Sequence, residues 1–273
     1  MRVAVASGKG GTGKTTVAVS LALALEDRGH GGGNDVPHTM FLDCDVEAPD
    51  AHLFLQPEIR TRKPVVVPVP NIDPARCLLC GDCAAVCRFN ALAILGEEVL
   101  VLPELCHGCG SCVHVCQTRA IYETPREIGF LEAGMARGVQ FAQGVLNVGE
   151  GMAVPVIKEL KKWMWTNGAG PVVLDAPPGT SCPVVETVSG SDYVLLVTEP
   201  TPFGLHDLEL AADVVRRLEL PFGVIINRDG IGNGRVEEFC HEQEIPILLK
   251  IPFDRGIAEG IAKGETLLAI RPD

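Results

Sequence analysis

Six short apolar runs recur along the chain, at residues 2–6, 39–43, 171–175, 193–198, 222–227 and 247–251, and each leads into Gly, Asp or Pro within a few residues. Runs this short without polar alternation predict strands buried on both faces. Between them, residues 14–27, 153–165, 204–219, 233–243 and 255–263 read as helices. Strand alternating with helix predicts an α/β fold around a parallel sheet, whose ligand edge lies at the C-terminal ends of the strands. The alternation breaks at residues 65–125, a segment bordered by Pro64, Pro68, Pro70 and Pro74 on one side and Pro125 on the other. It reads as an inserted domain, with 1–64 and 126–273 forming the domain around it. Glycines 129, 134, 138, 144 and 149 punctuate the next stretch, which predicts short strands or a hairpin joining the insertion to the sheet. The run His30-Gly31-Gly32-Gly33-Asn34 reads as a flexible crossover.

Composition narrows the class. A chain of 273 residues that is 47% hydrophobic can bury a substantial core. No apolar run nears the roughly 18 residues that would span a bilayer. The chain opens directly into its first strand with no secretory pattern, which predicts a reducing cytoplasm. The formal net charge of -12 disfavours binding to a phosphate backbone, so no nucleic-acid partner is expected. Residues 255–273 carry only Arg255, Lys263 and Arg271 as basic groups, too few for a membrane-holding amphipathic tail.

The first strand runs into Gly8-Lys9-Gly10-Gly11-Thr12-Gly13-Lys14-Thr15-Thr16 and then into a helix rich in alanine and leucine. Such a loop turns successive backbone N–H groups onto a phosphate at a helix N-terminus; Lys14 would reach the β- and γ-phosphates and Thr15 would ligate Mg2+. Two later strands end in carboxylates. Asp43 closes the run at 39–43 and Asp45 follows it, in a segment Asp43-Cys44-Asp45-Val46-Glu47-Ala48-Pro49-Asp50 that resembles a nucleotide-sensing switch I loop; the resemblance implies that Asp45 orients an attacking water and Asp43 supports the metal or loop. Asp175 closes the run at 171–175 and would hold Mg2+ through a water, while Gly179 would let the backbone approach the γ-phosphate.

Eight of the eleven cysteines form two copies of one spacing, Cys77-x2-Cys80-x2-Cys83-x3-Cys87 and Cys106-x2-Cys109-x2-Cys112-x3-Cys116, offset by 29 residues. Gly81, Val86, Ala91 and Leu92 recur as Gly110, Val115, Ala120 and Ile121. In iron–sulfur runs of this spacing the fourth cysteine ligates the cluster of the other run. One [4Fe-4S] cluster is therefore expected on Cys77, Cys80, Cys83 and Cys116, and a second on Cys106, Cys109, Cys112 and Cys87. A zinc site would need only paired knuckles, and disulfides are unexpected in a reducing compartment. The repeat resembles a bacterial two-cluster ferredoxin, except that Arg88 and Gln117 replace the usual proline after the fourth cysteine.

The run from Gly8 to Thr15 resembles the deviant Walker A motif of the MinD/ParA superfamily, and the whole chain resembles members of it that carry an inserted ferredoxin domain. The resemblance implies an ATPase using ATP/ADP and Mg2+, with Lys9 reaching the nucleotide of a partner subunit in an ATP-dependent homodimer. Asn227, Pro252 and Asp254 would then lie at the adenine. The function expected first is ATP-driven electron transfer through two [4Fe-4S] clusters to a partner protein; the alternative is a carrier that delivers clusters, and a spatial organiser is third. Cys182, seven residues after Asp175, sits where a related iron protein has a cluster ligand. No second cysteine falls between Cys116 and Cys182, so it is expected to be a small buried residue starting a helix.

Overall fold

A computed structural model describes residues 1–30, 37–167 and 170–271, so the crossover reading for residues 31–34 lies outside the described residues. In chain order the elements are β1 (Arg2–Ala6), α1 (Lys14–His30), β2 (Met40–Asp43), α2 (Ala51–Leu55), β3 (Glu58–Ile72), α3 (Asp82–Val86), β4 (Leu92–Leu95), β5 (Glu98–Val101), α4 (Ser111–Val115), β6 (Ile121–Ala136) and β7 (Val139–Leu146). There follow α5 (Ala153–Asn167), β8 (Val172–Asp175), α6 (Cys182–Val188), β9 (Tyr193–Thr198), α7 (Pro202–Arg217), β10 (Phe222–Asp229), α8 (Arg235–Glu242), β11 (Ile247–Pro252), α9 (Arg255–Ala262) and α10 (Leu267–Ile270). All six predicted strands and five predicted helices are present, with ends displaced by at most a few residues.

The main sheet has the order β11-β10-β9-β1-β8-β2-β7-β6-β3. It is parallel from β11 to β7, and β6 and β3 then add antiparallel to that edge. The antiparallel pair of β6 and β7 is the hairpin expected for the glycine-punctuated stretch after the insertion. A parallel strand needs a crossover, whereas β7 returns on β6 through the tight turn at Arg137 and Gly138, both at positive φ. Alternation along the strands sends side chains into two cores. Val3, Val5, Phe41 and Val173 face α1, α2, α9 and α10; Ala4, Ala6, Leu42 and Leu174 face α5, α6, α7 and α8. Phe41 and Phe141 face each other across β2 and β7 with centroids 6.1 Å apart.

The cysteine-rich excursion leaves through β3 and returns through β6. These strands are ladder partners along almost their whole length, from Glu58 with Met135 to Ile72 with Ile121. Both run through residues 64 and 126 without a break, so the ribbon that carries the excursion is also the edge of the sheet. Beyond it, the 29-residue repeat of the sequence is a repeat of backbone. Leu79 and Gly108 have positive φ (52° and 63°), as do Gly81 and Gly110 (88° and 71°) and Asn90 and Arg119 (53° each). The N–H of Ala91 donates to Cys87 Sγ at 3.3 Å, and that of Ala120 donates to Cys116 Sγ at 3.3 Å. The helices α3 and α4 pack on each other, and Cys83, Leu92, Cys112 and Ile121 form a small core of their own.

Arg126, near the root of β6, forks onto both carboxylate oxygens of Glu150 in the loop after β7, with Nη2 3.1 Å from Oε2. The pair is largely buried, with side-chain exposures of 21% and 13%. Removing the carboxylate strands a guanidinium whose Nε already has no protein acceptor. Glu150→Ala is expected to destabilise the fold by roughly 1–3 kcal/mol, read by chemical denaturation; a change under about 0.5 kcal/mol would mean that water already satisfies the pair.

Candidate functional site

The loop between β1 and α1 wraps the N-terminus of α1, and a pocket of about 480 Å³ opens over it. Ser7, Gly10, Gly11, Thr12, Gly13, Thr15 and Thr16 line it together with Lys9 and Lys14. The volume suits a nucleotide. Backbone shape requires two of the glycines. A Cβ on Gly8 would run into the carbonyl of Asp207 on α7, and Gly13 has φ of +89° with the side-chain amide of Asn227 against it. Thr12 Oγ1, on the same loop, is buried without a protein partner.

Two carboxylates lie side by side under the loop, since Asp43 and Asp175 are register partners at the ends of β2 and β8. Both are fully buried. Burial raises each above the usual carboxylate range, and for Asp43 the charge of Asp175 raises it further. Lys14 answers them, with Nζ 2.7 Å from Asp175 Oδ1. Burial alone would lower the lysine, but the carboxylates hold it above its ordinary value. Asp175 Oδ2 has no protein partner. A buried anionic oxygen left open beside Thr15 fits a water held by Mg2+.

Asp43 is committed to the loop that follows it. Its two oxygens accept from the N–H groups of Asp45, Asp50 and Ala51, each at 3.1 Å. That loop turns Asp45 into the pocket, half-buried. Gly179 has φ of +95°, and its N–H donates to the carbonyl of Ser7 at 3.0 Å, which ties the loop after β8 to the phosphate-binding loop.

Lys9 is held within the chain. Its Nζ pairs with Glu199 at the end of β9, and Arg228 Nη1 binds the other oxygen of the same carboxylate at 2.9 Å. Sequence reasoning missed Glu199 and Arg228, although each follows an apolar strand directly and so falls at the ligand edge. Asn227 Nδ2 donates to the carbonyl of Thr12 at 2.7 Å and Oδ1 accepts from Arg228 N, so its amide braces the loop. Asp254 caps α9 through Ile257 N at 3.1 Å and pairs with Arg271, while Pro252 and Asp254 both border the pocket.

The eight repeat cysteines fall into two groups, each around its own cavity. Cys77, Cys80, Cys83 and Cys116 line one of about 90 Å³; Cys87, Cys106, Cys109 and Cys112 line one of about 20 Å³. Among the described residues, no three His, Cys, Asp or Glu converge as ligands for a single metal ion. Cys182 does start α6, but it is exposed, contrary to the buried position expected. The inward face of that short helix is set by Val184, Thr187 and Val188, which turns position 182 outward.

The carboxyl of Asp45 is pushed up to about 6, first by burial and then by the charge of Asp175, against the pull of Lys14. A carboxyl raised above its unfolded value contributes stability that is complete below about pH 4 and lost as pH rises through about 6. Water reaches part of the group and screens it, so Asp45→Asn is expected to stabilise the nucleotide-free protein at pH 7 by roughly 1 kcal/mol. The gain should vanish near pH 4. Thermal melts across that range measure it, and a gain independent of pH would remove the ionisation from the explanation.

A family model described as the CobQ/CobB/MinD/ParA nucleotide binding domain matches residues 3–267. An uncharacterized protein of Methanocaldococcus jannaschii is 31% identical over 98% of this chain and 91% of its own length. A protein of Aquifex aeolicus named an iron-sulfur cluster carrier protein is 25% identical over 99% of this chain and 62% of its own. Among solved structures, the septum site-determining protein MinD of Pyrococcus horikoshii, complexed with Mg-ADP, superposes with a TM-score of 0.59 at 19% identity, covering 100% of this chain and 89% of that one. That likeness concerns the fold. With a phosphate-binding loop, a buried Lys14–Asp175 pair and a family match along nearly its whole length, the chain belongs to the CobQ/CobB/MinD/ParA nucleotide-binding family.

Proposed function

We propose that this protein is an iron–sulfur ATPase in which ATP-dependent closure of a homodimer gates electron transfer through two [4Fe-4S] clusters to a partner protein. The observation that carries the reading is the grouping of eight thiols as four and four, with Cys116 among the first run's cysteines and Cys87 among the second's. A four-iron cubane offers one position to each of four thiolates and supplies one-electron redox chemistry when bound. Residues 65–125 would then act as an inserted ferredoxin domain. The glycines at positive φ before α3 and α4 bend each run around its cavity, and the N–H groups of Ala91 and Ala120 support the sulfurs of Cys87 and Cys116.

In the nucleotide pocket, Lys14 and the N–H groups of residues 8–16 would bind the phosphates, and Thr15 and Asp175 would hold Mg2+, Asp175 through a water. Asp45 would orient the attacking water, and Lys9 would act on the nucleotide of the partner subunit. Asn227, Pro252 and Asp254 would border the adenine. The net charge of -12 speaks against a nucleic-acid partner, and no described helix is long and apolar enough to cross a membrane. A second reading, delivery of clusters to apo-proteins, is favoured by relatives in Aquifex aeolicus and Pyrococcus abyssi that bear the name iron-sulfur cluster carrier protein. Complete four-thiol sets favour retention over delivery, because transfer needs a labile ligand.

Anaerobically prepared protein is expected to hold about eight iron and eight acid-labile sulfide per chain. Lys14→Ala should abolish nucleotide binding and keep the iron. Iron retained on incubation with an apo-acceptor supports electron transfer, and quantitative loss to the acceptor supports delivery. If ATP shifts the reduction potential, reduction must change ATP affinity by the same factor; zinc in place of iron would overturn both readings.

A further inference from the structure

Glu199 is a nearly buried carboxylate, 9% exposed, that holds two cations at once. Its Oε1 takes Lys9 of the phosphate-binding loop and its Oε2 takes Arg228 at the end of β10. Both cations line the nucleotide pocket. Arg228 is further drawn to the loop by a 3.4 Å contact from Nη2 to the carbonyl of Gly11, and it adopts φ of +55°, unusual for a side-chain-bearing residue. The carboxylate is itself held. It follows β9, Thr201 Oγ1 lies 3.5 Å from Oε1, and Gly204 lies against its backbone, where a Cβ would collide with the Glu199 carbonyl.

A partly buried anion that binds two cations beside a phosphate site occupies the electrostatic place of a phosphate. A triphosphate entering the pocket carries more charge than one carboxylate, and its oxygens compete for the same donors. We propose that Glu199 is a positioning residue that holds Lys9 and Arg228 in reserve, that nucleotide binding breaks both pairs, and that Arg228 is then a phosphate-binding residue of this site while Lys9 is released to the nucleotide of the partner subunit. Lys14 is paired separately, with Asp175 on the pocket floor. The inference rests on the ATP-binding reading but not on the iron–sulfur one.

Glu199→Gln keeps the shape of the side chain and removes its charge. Two measurements on the full-length protein test the proposal. In the first, reductive methylation of Lys9 without nucleotide, followed by peptide mass spectrometry, should be severalfold faster in Glu199→Gln than in the unsubstituted protein. Equal rates would show that no such pair forms in solution and would overturn the proposal. In the second, calorimetric titration with Mg-ATP should give about fivefold tighter binding for Glu199→Gln and about fivefold or more weaker binding for Arg228→Gln. Unchanged or weaker binding by Glu199→Gln, with Lys9 freed, would show that the carboxylate does not compete with phosphate. If Glu199→Gln fails to fold, as thermal melts would reveal, Arg228→Gln still decides, and binding equal to that of the unsubstituted protein overturns the role of Arg228. Absence of nucleotide binding in the unsubstituted protein would sink the ATP-binding reading as well, which separates the two failures.

Discussion

The pairing of Lys14 with Asp175 is the contact on which the site depends, and its electrostatics are unbalanced by design of the sheet. Parallel register sets Asp43 beside Asp175 with both carboxyls buried, and only one lysine ammonium reaches between them. Three backbone N–H groups relieve Asp43 without neutralising it. Asp45 adds a third acid at the rim. A bare polyphosphate would meet this floor with repulsion, whereas one that arrives with a divalent cation brings the missing positive charge and a ligand for the open Oδ2 of Asp175. The same imbalance explains why the loop above it is so rich in N–H donors and flanked by Lys9 and Arg228: the cations are stationed around the anion site, and the acids beneath the metal site.

Most of the nucleotide half was legible because its determinants are local. A buried strand, a glycine turn and a helix start are all written within residues 2–27, and carboxylates at strand ends declare themselves by position. The ribbon was not legible. Residues 58–72 mix Arg, Lys and Glu with Pro64, Pro68 and Pro70, and these prolines mark a domain border in the sequence rather than a strand. Proline is tolerated there because β3 is the outermost strand of the sheet and its outer N–H groups have no ladder to complete. Its apolar face, Val65, Val67 and Val69, joins a core with residues remote in sequence, among them Ile128, Leu131 and Ala133 of β6 and Val156 and Leu160 of α5. The pairing of Glu199 escaped for the same reason, since its two partners come from residues 9 and 228.

The cysteine repeat is a case in which chemistry and backbone carry one message. A 29-residue offset in cysteines could have arisen from spacing alone, but the positive φ values at residues 79, 81 and 90 return at 108, 110 and 119. Left-handed backbone is costly for Leu79 and Arg119, so its recurrence at matching places means that the turn geometry, beyond the thiols, is what the two halves share.

The route from the nucleotide loop to this excursion is short and built from ladder contacts. The N–H of Leu146 donates to the carbonyl of Val46, next to Asp45, at 2.8 Å, and that of Asn147 donates to Ile128 of β6 at 2.9 Å. Val46 packs where Gly144 leaves no room for a Cβ, so the loop rests directly on the backbone of β7. Glu150 then clamps Arg126, five residues from the start of β6 at Ile121. A displacement of Asp45 and Val46 on nucleotide binding therefore meets close-packed backbone, and interiors packed this tightly respond by moving elements together. Because β3 and β6 are paired from the sheet edge to Ile72 and Ile121, backbone pairing is continuous from the sheet to the foot of the cysteine-rich excursion.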